Sequence, residues 1–169
     1  MYPFTHISIA FSSVRAGDRL TGPESNGEID YRLVALGSIL PDLIDKPLKW
    51  FIFRKQLPDD HTFGHTLLLP AGLLGAGLLR GDKRLLALGL GCLTHPLVDP
   101  VVERPKNLFW PLLGTSFPQG MKERGLGPYS VAGEALLIAG ALIAHSRSEK
   151  LRGWLHGLLR QGRVEGADA

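Results

Sequence analysis

The sequence predicts an all-α protein, a small up-and-down helical bundle of about five core helices plus a C-terminal amphipathic helix. Three observations predict it. Apolar residues recur at helical spacing in successive segments. No stretch alternates with period two between hairpin turns. Most connections are short enough to make consecutive helices antiparallel neighbours. The 169 residues suit a single helical domain over residues 1–161, followed by a disordered tail at 162–169.

In chain order, Ile7, Ala10, Phe11 and Val14 place a first helix over Thr5–Val14. Ala16–Gly27 carries Gly, Asp, Pro, Ser and Asn and reads as a loop. Tyr31–Leu40 is a second helix, ending near Pro41, which can itself open a kinked or separate helix over Asp42–Phe53. Arg54–Asp60 is a polar connector. Thr62–Leu79 is an apolar helix in which Pro70 predicts a kink. Arg80–Lys83 is a tight basic turn, and Arg84–Val98 is the next apolar helix. Pro100–Pro128 is irregular and rich in Pro and Gly. Tyr129–His145 is a further apolar helix with Ser130 at its N-cap, and Ser148–Gln161 is a basic amphipathic helix.

Composition narrows the function classes. The chain is 44% apolar and 21% charged, with net charge +3 and 21 glycines and 12 prolines. Its mean hydropathy is +0.08 and its pI about 9.2. No Lys/Arg-rich block and no interleaved aromatics are present, so nucleic acid is not the expected partner. Cys92 is the single cysteine, which excludes an internal disulfide. Its apolar surroundings predict a small buried hydrophobe. The N-terminus, MYPFTHISIAF, has neither a basic leader nor a long apolar run, so no cleavable signal peptide is expected.

Six polar residues form a set through chain order. His6 opens the first helix, and Asp42 and Asp45 close the second. His65 opens the third, and His95 and Asp99 close the fourth. If consecutive helices alternate in direction, all six reach the same end of the bundle. His95 and Asp99 are i,i+4 and Asp42 and Asp45 are i,i+3, so each pair shares a helix face. Mixed imidazole and carboxylate donors suit zinc, with manganese or iron as alternatives, better than calcium. His6, Asp42, His65, His95 and Asp99 are the expected ligands. Five or six donors exceed one tetrahedral ion, so one ion or two bridged by an Asp are expected. Asp45 and Glu134, the latter interrupting the run VAGEALLIAGALIA, are candidate bases, with Asp45 alternatively a partner of a ligand and Glu134 alternatively a ligand or the partner of an arginine. Asp42 could instead cap a helix and Asp45 pair with Lys46 or Lys49. His61, in HTFGH, has a spacing that can bind metal but equally suits a surface loop.

The segments GSILPDLIDKPLKW, HTFGHTLLLP, CLTHPLVDP and LFWPLLG resemble the family of membrane-bound metal-dependent hydrolases that includes the YdjM-like, LexA-binding inner-membrane hydrolases. The resemblance runs from about Thr5 to Leu113. It implies Thr5-His6, Pro41-Asp42 with Asp45, and His65-Thr66 (a His-Ser in the family) as motif residues. A more distant similarity is to the zinc-dependent phospholipase C and P1 nuclease group, through the order His6, Asp42, His65, His95 and Asp99.

Charge distribution points to a cell membrane. Arg80, Lys83 and Arg84, then Arg147, Lys150, Arg152 and Arg160, and Arg15, Arg19 and Arg32 gather opposite the expected site, so the positive-inside rule places that site on the extracytoplasmic side. The run from Arg84 to Val102 is long enough for a transmembrane helix; the other apolar runs fall short of the required ~20 residues. With the hydrolase and phosphodiester chemistry that the two resemblances imply, these features predict a membrane-associated metal-dependent hydrolase that uses metal-activated water on an ester or phosphodiester of a small molecule or lipid. The alternative is a non-catalytic membrane protein with a structural metal or polar cluster and a partner-binding basic C-terminal helix.

Overall fold

The computed structural model describes residues 3–20, 29–53, 61–99, 104–117 and 149–162. It is helical, with no strand among the described residues. Helix α1 spans Pro3–Leu20, α2 Tyr31–Pro47, α3 Leu68–Arg80 and α4 Lys83–Val98. A short α5 covers Pro105–Leu108, and α6 covers Glu149–Gln161. Helix α4 is central and packs against α1, α2 and α3.

Three boundaries differ from the sequence expectation, each for a physical reason. Helix α1 continues past Val14 to Leu20, because Ala16 favours helix and the single Gly17 costs only about 1 kcal/mol. Helix α2 runs through Pro41 rather than stopping there, and a π-helical turn over Leu48–Ile52 extends it. Helix α3 begins at Leu68, so Pro70 sits in its first turn, where a helical N–H has no partner to lose.

The α3–α4 corner follows local chemistry. Gly81 adopts the left-handed conformation (φ 62°) that ends α3. Asp82 then caps α4, its Oδ1 accepting from the backbone N–H of Arg84 (2.8 Å) and Leu85 (3.3 Å).

Ala10, Val14, Tyr31, Val34 and Ala87 form the apolar core, with Phe11, Leu33, Leu90 and Leu158 against it. Trp154 of α6 meets Phe11 edge-on at 5.5 Å, and Arg32 donates to the carbonyls of Leu159 and Arg160 at the end of α6. Cys92 is the expected buried hydrophobe, its thiol pushed up to about 12 by burial. Glu134 and the helix expected over Tyr129–His145 lie outside the described residues, as do the 54–60 connector and residues 163–169.

Candidate metal centre

The first four helices and the turn before α3 bring His6, Asp42, Asp45, His65, His95 and Asp99 together, and all but Asp42 are buried. His61 joins them from the 61–67 turn.

Asp45 organises that turn. It is fully buried and accepts the backbone N–H groups of Thr62 (2.6 Å), Gly64 (2.8 Å) and His65 (3.3 Å). It also accepts from His65 Nδ1 at 2.8 Å. Gly64 permits this approach, because a Cβ there would meet the Pro41 carbonyl oxygen at 2.6 Å. The carboxylate therefore replaces the helical hydrogen bonds that the sequence pattern of Thr62–Leu67 would otherwise make. It also fixes the tautomer of His65, leaving Nε2 aimed at the cluster.

His95 is oriented in the same manner from α2. Its Nδ1 donates to the Ser38 carbonyl at 2.6 Å. A carbonyl only accepts, so the His95 proton is on Nδ1 and its Nε2 presents a lone pair. The two Nε2 atoms of His65 and His95 face each other at 3.1 Å. With both Nδ1 atoms committed as donors, the Nε2 pair needs a proton or a cation between them.

Around this pair stand two carboxylates. Asp99 Oδ2 lies 3.5 Å from His65 Nε2 and 3.6 Å from His95 Nε2. Asp42 Oδ1 lies 3.5 and 4.0 Å from the same two atoms, while its Oδ2 accepts from Lys46 Nζ at 2.7 Å. Four donors around one zinc at ordinary bond lengths would be about 3.3–3.4 Å apart; His65, His95 and Asp99 stand close to that spacing, and Asp42 lies further from His95.

His6 adds a second side. It stacks on His95 at 3.9 Å between ring centroids. Neither of its nitrogens has a hydrogen-bond partner although the ring is 1% exposed. Burial, reinforced by His95, lowers its pKa to about 4, so it is a neutral imidazole with a lone pair to give. His61 Nε2 lies 3.4 Å from Asp99 Oδ2. Three donor groups thus fall within ligand reach: His6–His95–Asp99, Asp42–His65–His95 and His61–His65–Asp99.

The electrostatics are those of a site built for positive charge. Burial opposes the ionisation of Asp42, but His65 and Lys46 outweigh it and hold its pKa well below the usual range. Asp99 is likewise held low against burial by His61, His65 and His95. Burial alone would lower His65, yet hydrogen bonds to Asp42, Asp45 and Asp99 raise it to about 9.

Two participants carry no motif in the sequence. The Ser38 carbonyl is a backbone group. Asn107 of α5 is fully buried and donates through Nδ2 to the His61 carbonyl at 2.9 Å, which ties α5 to the turn.

A helical bundle with a buried His/Asp cluster at one end defines a class of small helical protein with a metal-type donor set. The family described as YdjM inner membrane protein matches residues 1–159, and this chain belongs to it. It is thus a member of a membrane-protein family, as the sequence resemblance implied. No curated protein and no solved structure matches the chain.

The expected transmembrane helix is not found: among the described residues, none is both long and apolar enough to cross a membrane. Helix α4 ends at Val98, so the apolar run from Arg84 to Val102 is not one uninterrupted helix.

Proposed function

We propose that His65, His95, Asp99 and Asp42 hold a divalent cation, zinc by the chemistry of the donors, and that this membrane protein is a metal-dependent hydrolase of an ester or phosphodiester. The observation that carries the reading is the 3.1 Å approach of two imidazole Nε2 atoms whose Nδ1 atoms are both committed elsewhere. Carboxylate–histidine and carbonyl–histidine pairs of this kind orient imidazoles for metal. Such an ion would supply Lewis acidity and lower the pKa of a water that takes the place of Asp42, the most exposed donor, or adds as a fifth ligand.

The chain's own residues have separable tasks. Asp45, with both oxygens engaged and no exposure, positions His65. Asp42 is the least buried of the carboxylates at the cluster and gives it a side open to substrate. A single Nε2 serves one ion, whereas a carboxylate can bridge two. The donor groups that share no imidazole are therefore His6–His95–Asp99 and His61–His65–Asp99, which would hold two ions in place of the single ion above.

The test is to purify the full chain from membranes without chelator in zinc-supplemented buffer, measure bound metal, and assay a generic phosphodiester and a generic carboxylic ester. The reading expects at least one zinc per chain and hydrolysis of one substrate class; less than about 0.1 metal per chain overturns it. The complete burial of His65 and His95 favours one rival, a structural ion in a non-catalytic membrane protein. His95→Ala separates the two: a folded but inactive variant supports catalysis, and an unfolded one supports the structural role.

A further inference from the structure

Beside the metal centre lies an apolar groove of about 390 Å³, lined by Phe63, Leu68, Leu69, Gly72, Leu73 and Trp110, with Thr66 adding the one polar side chain. The turn that carries His61 and His65 also lines the groove. Thr66 follows His65, and Phe63 sits between His61 and His65 in the turn that Asp45 holds. Thr66 spends its hydroxyl on the Phe63 carbonyl at 2.9 Å, so the lining offers a ligand almost no hydrogen bonding. The aromatic wall is built: Trp110 and Phe117 stand edge-on to Phe63 and stack on each other, and Trp110 Nε1 donates to the Thr115 carbonyl. Along the α3 wall, Gly72 has no atom within 4 Å of where a Cβ would be.

The same end of the bundle exposes large apolar side chains next to the ligands. Leu43 follows Asp42, Leu97 lies between His95 and Asp99, and Trp50 and Phe51 extend α2 beyond Asp45. Phe51 is 81% exposed and Leu112, beyond Trp110, is 84% exposed. Apolar exposure on this scale marks an interaction surface, and in an inner-membrane protein family the apolar phase at hand is the bilayer. Trp50, with Lys46 and Lys49 nearby, has the composition of a headgroup-level anchor.

We infer that the groove binds an acyl chain of a membrane phospholipid, placing its ester or phosphodiester head at the metal centre. This rests on the hydrolase reading above for the substrate role, whereas the binding of the chain does not depend on it. A featureless apolar channel next to a cluster of charged donors matches an amphiphile, with tail and head in separate compartments.

The experiment uses the full chain in nanodiscs containing a phosphatidylglycerol with a diazirine near the end of one acyl chain. After illumination, adducts are mapped by peptide mass spectrometry. Adducts are expected on the Phe63–Leu73 segment and on Trp110. Gly72→Phe fills the groove and should cut them at least fivefold relative to the lipid adducts on the rest of the chain. Where that variant fails to fold, Leu69→Trp narrows the same wall. A groove occupied by protein leaves the segment unlabelled and overturns the proposal, as does labelling unchanged by either filled variant. Bound zinc is measured on the same samples. Metal without groove labelling overturns the acyl site alone; groove labelling without metal upholds the acyl site and overturns the metal reading.

Discussion

Helices α2 and α4 meet in two chemically different places. At their crossing, Val34, Ala87 and Cys92 are buried, and Gly91 lets the two backbones approach. Further along, the same helices end in Asp42, Asp45, His95 and Asp99. The crossing gains roughly 1.5–3 kcal/mol for each large aliphatic side chain it buries and needs nothing from solution. The polar end buries carboxylates and imidazoles, which costs free energy unless charge and hydrogen bonds are matched. Protein atoms complete only part of that match: Asp45 is saturated, while His6 has two unpartnered nitrogens. One region thus sets stability, and in the proposed metal reading a cation completes the other.

Perturbations should respect this division, and the largest effect is expected at the ligands. His65→Ala should weaken zinc binding more than about 100-fold, beyond the 10–100-fold typical of losing an outer partner. Helical circular dichroism should be retained, because the crossing is untouched. Full metal content after dialysis against zinc-free buffer would show that His65 is not a ligand.

Next in size is the opposite perturbation. A Cβ at Gly91 would collide with the backbone carbonyl of Val34, with the Val34 Cα also only 3.0 Å away. Backbone cannot rotate aside as a side chain can, so Gly91→Val should cost about 3 kcal/mol, the upper part of the overpacking range. Thermal melting should fall by roughly 6–12 °C while zinc per folded chain stays unchanged. A Gly91→Val protein that melts normally but loses zinc would erase the distinction between the two regions.

Asp45→Asn lies between these extremes. The amide keeps the shape but loses the charge, and its single acceptor oxygen faces four donors. Zinc affinity should drop about 10–100-fold with the ligands all present, measured by competition with a chromophoric chelator. An unchanged affinity would remove Asp45 from the site's positioning machinery.

The pH dependence follows from His65. Its pKa is raised to about 9 in the folded chain, so its contribution to metal-free stability is full below the unfolded value of about 6.5 and is lost as pH rises through 9. Asp42 and Asp99 are shifted the other way, and their contribution is present above the ordinary carboxylate pKa and lost as pH falls. Zinc must displace the His65 proton, so apparent affinity should climb about tenfold per pH unit between pH 6 and 8. Calorimetry in buffers of different ionisation enthalpy should show one proton released per zinc; no proton release would mean His65 Nε2 is already bare.

How much of this was legible before the structure differs by residue. The His95/Asp99 pair was legible because i,i+4 spacing on a helix survives Pro96, which sits in the last turn. The convergence of the ends was legible from alternation, since the α3–α4 corner is as short as the sequence implies. The start of α3 was not, because Asp45 captures the N–H groups of Thr62, Gly64 and His65 across 17 to 20 residues. The place of His61 depended on that same turn. Ser38 acts through its carbonyl, and a backbone acceptor leaves no signature in residue identity. Asp42 and Asp45 are indistinguishable as letters; only the fold shows that one is saturated and the other faces the histidines.

The smallest expected effect concerns Lys46, where the two regions give opposite signs. Its ammonium pairs with Asp42 Oδ2 at 2.7 Å, with side chains 34% and 14% exposed. As an i,i+4 surface pair it should contribute less than about 1 kcal/mol to stability. If Asp42 is held in place by Lys46, then Lys46→Ala weakens zinc binding. If Asp42 is held by the cluster itself, removing a nearby positive charge strengthens it. The 3.5 Å approach of Oδ1 to His65 Nε2 favours the second case, because that contact comes from the other oxygen. Zinc affinity of Lys46→Ala should therefore rise about 2–5-fold at low salt and converge on the wild-type value as ionic strength screens the charge. A weaker affinity at low salt would move Asp42 from the metal's own donors to a carboxylate that depends on its helical neighbour.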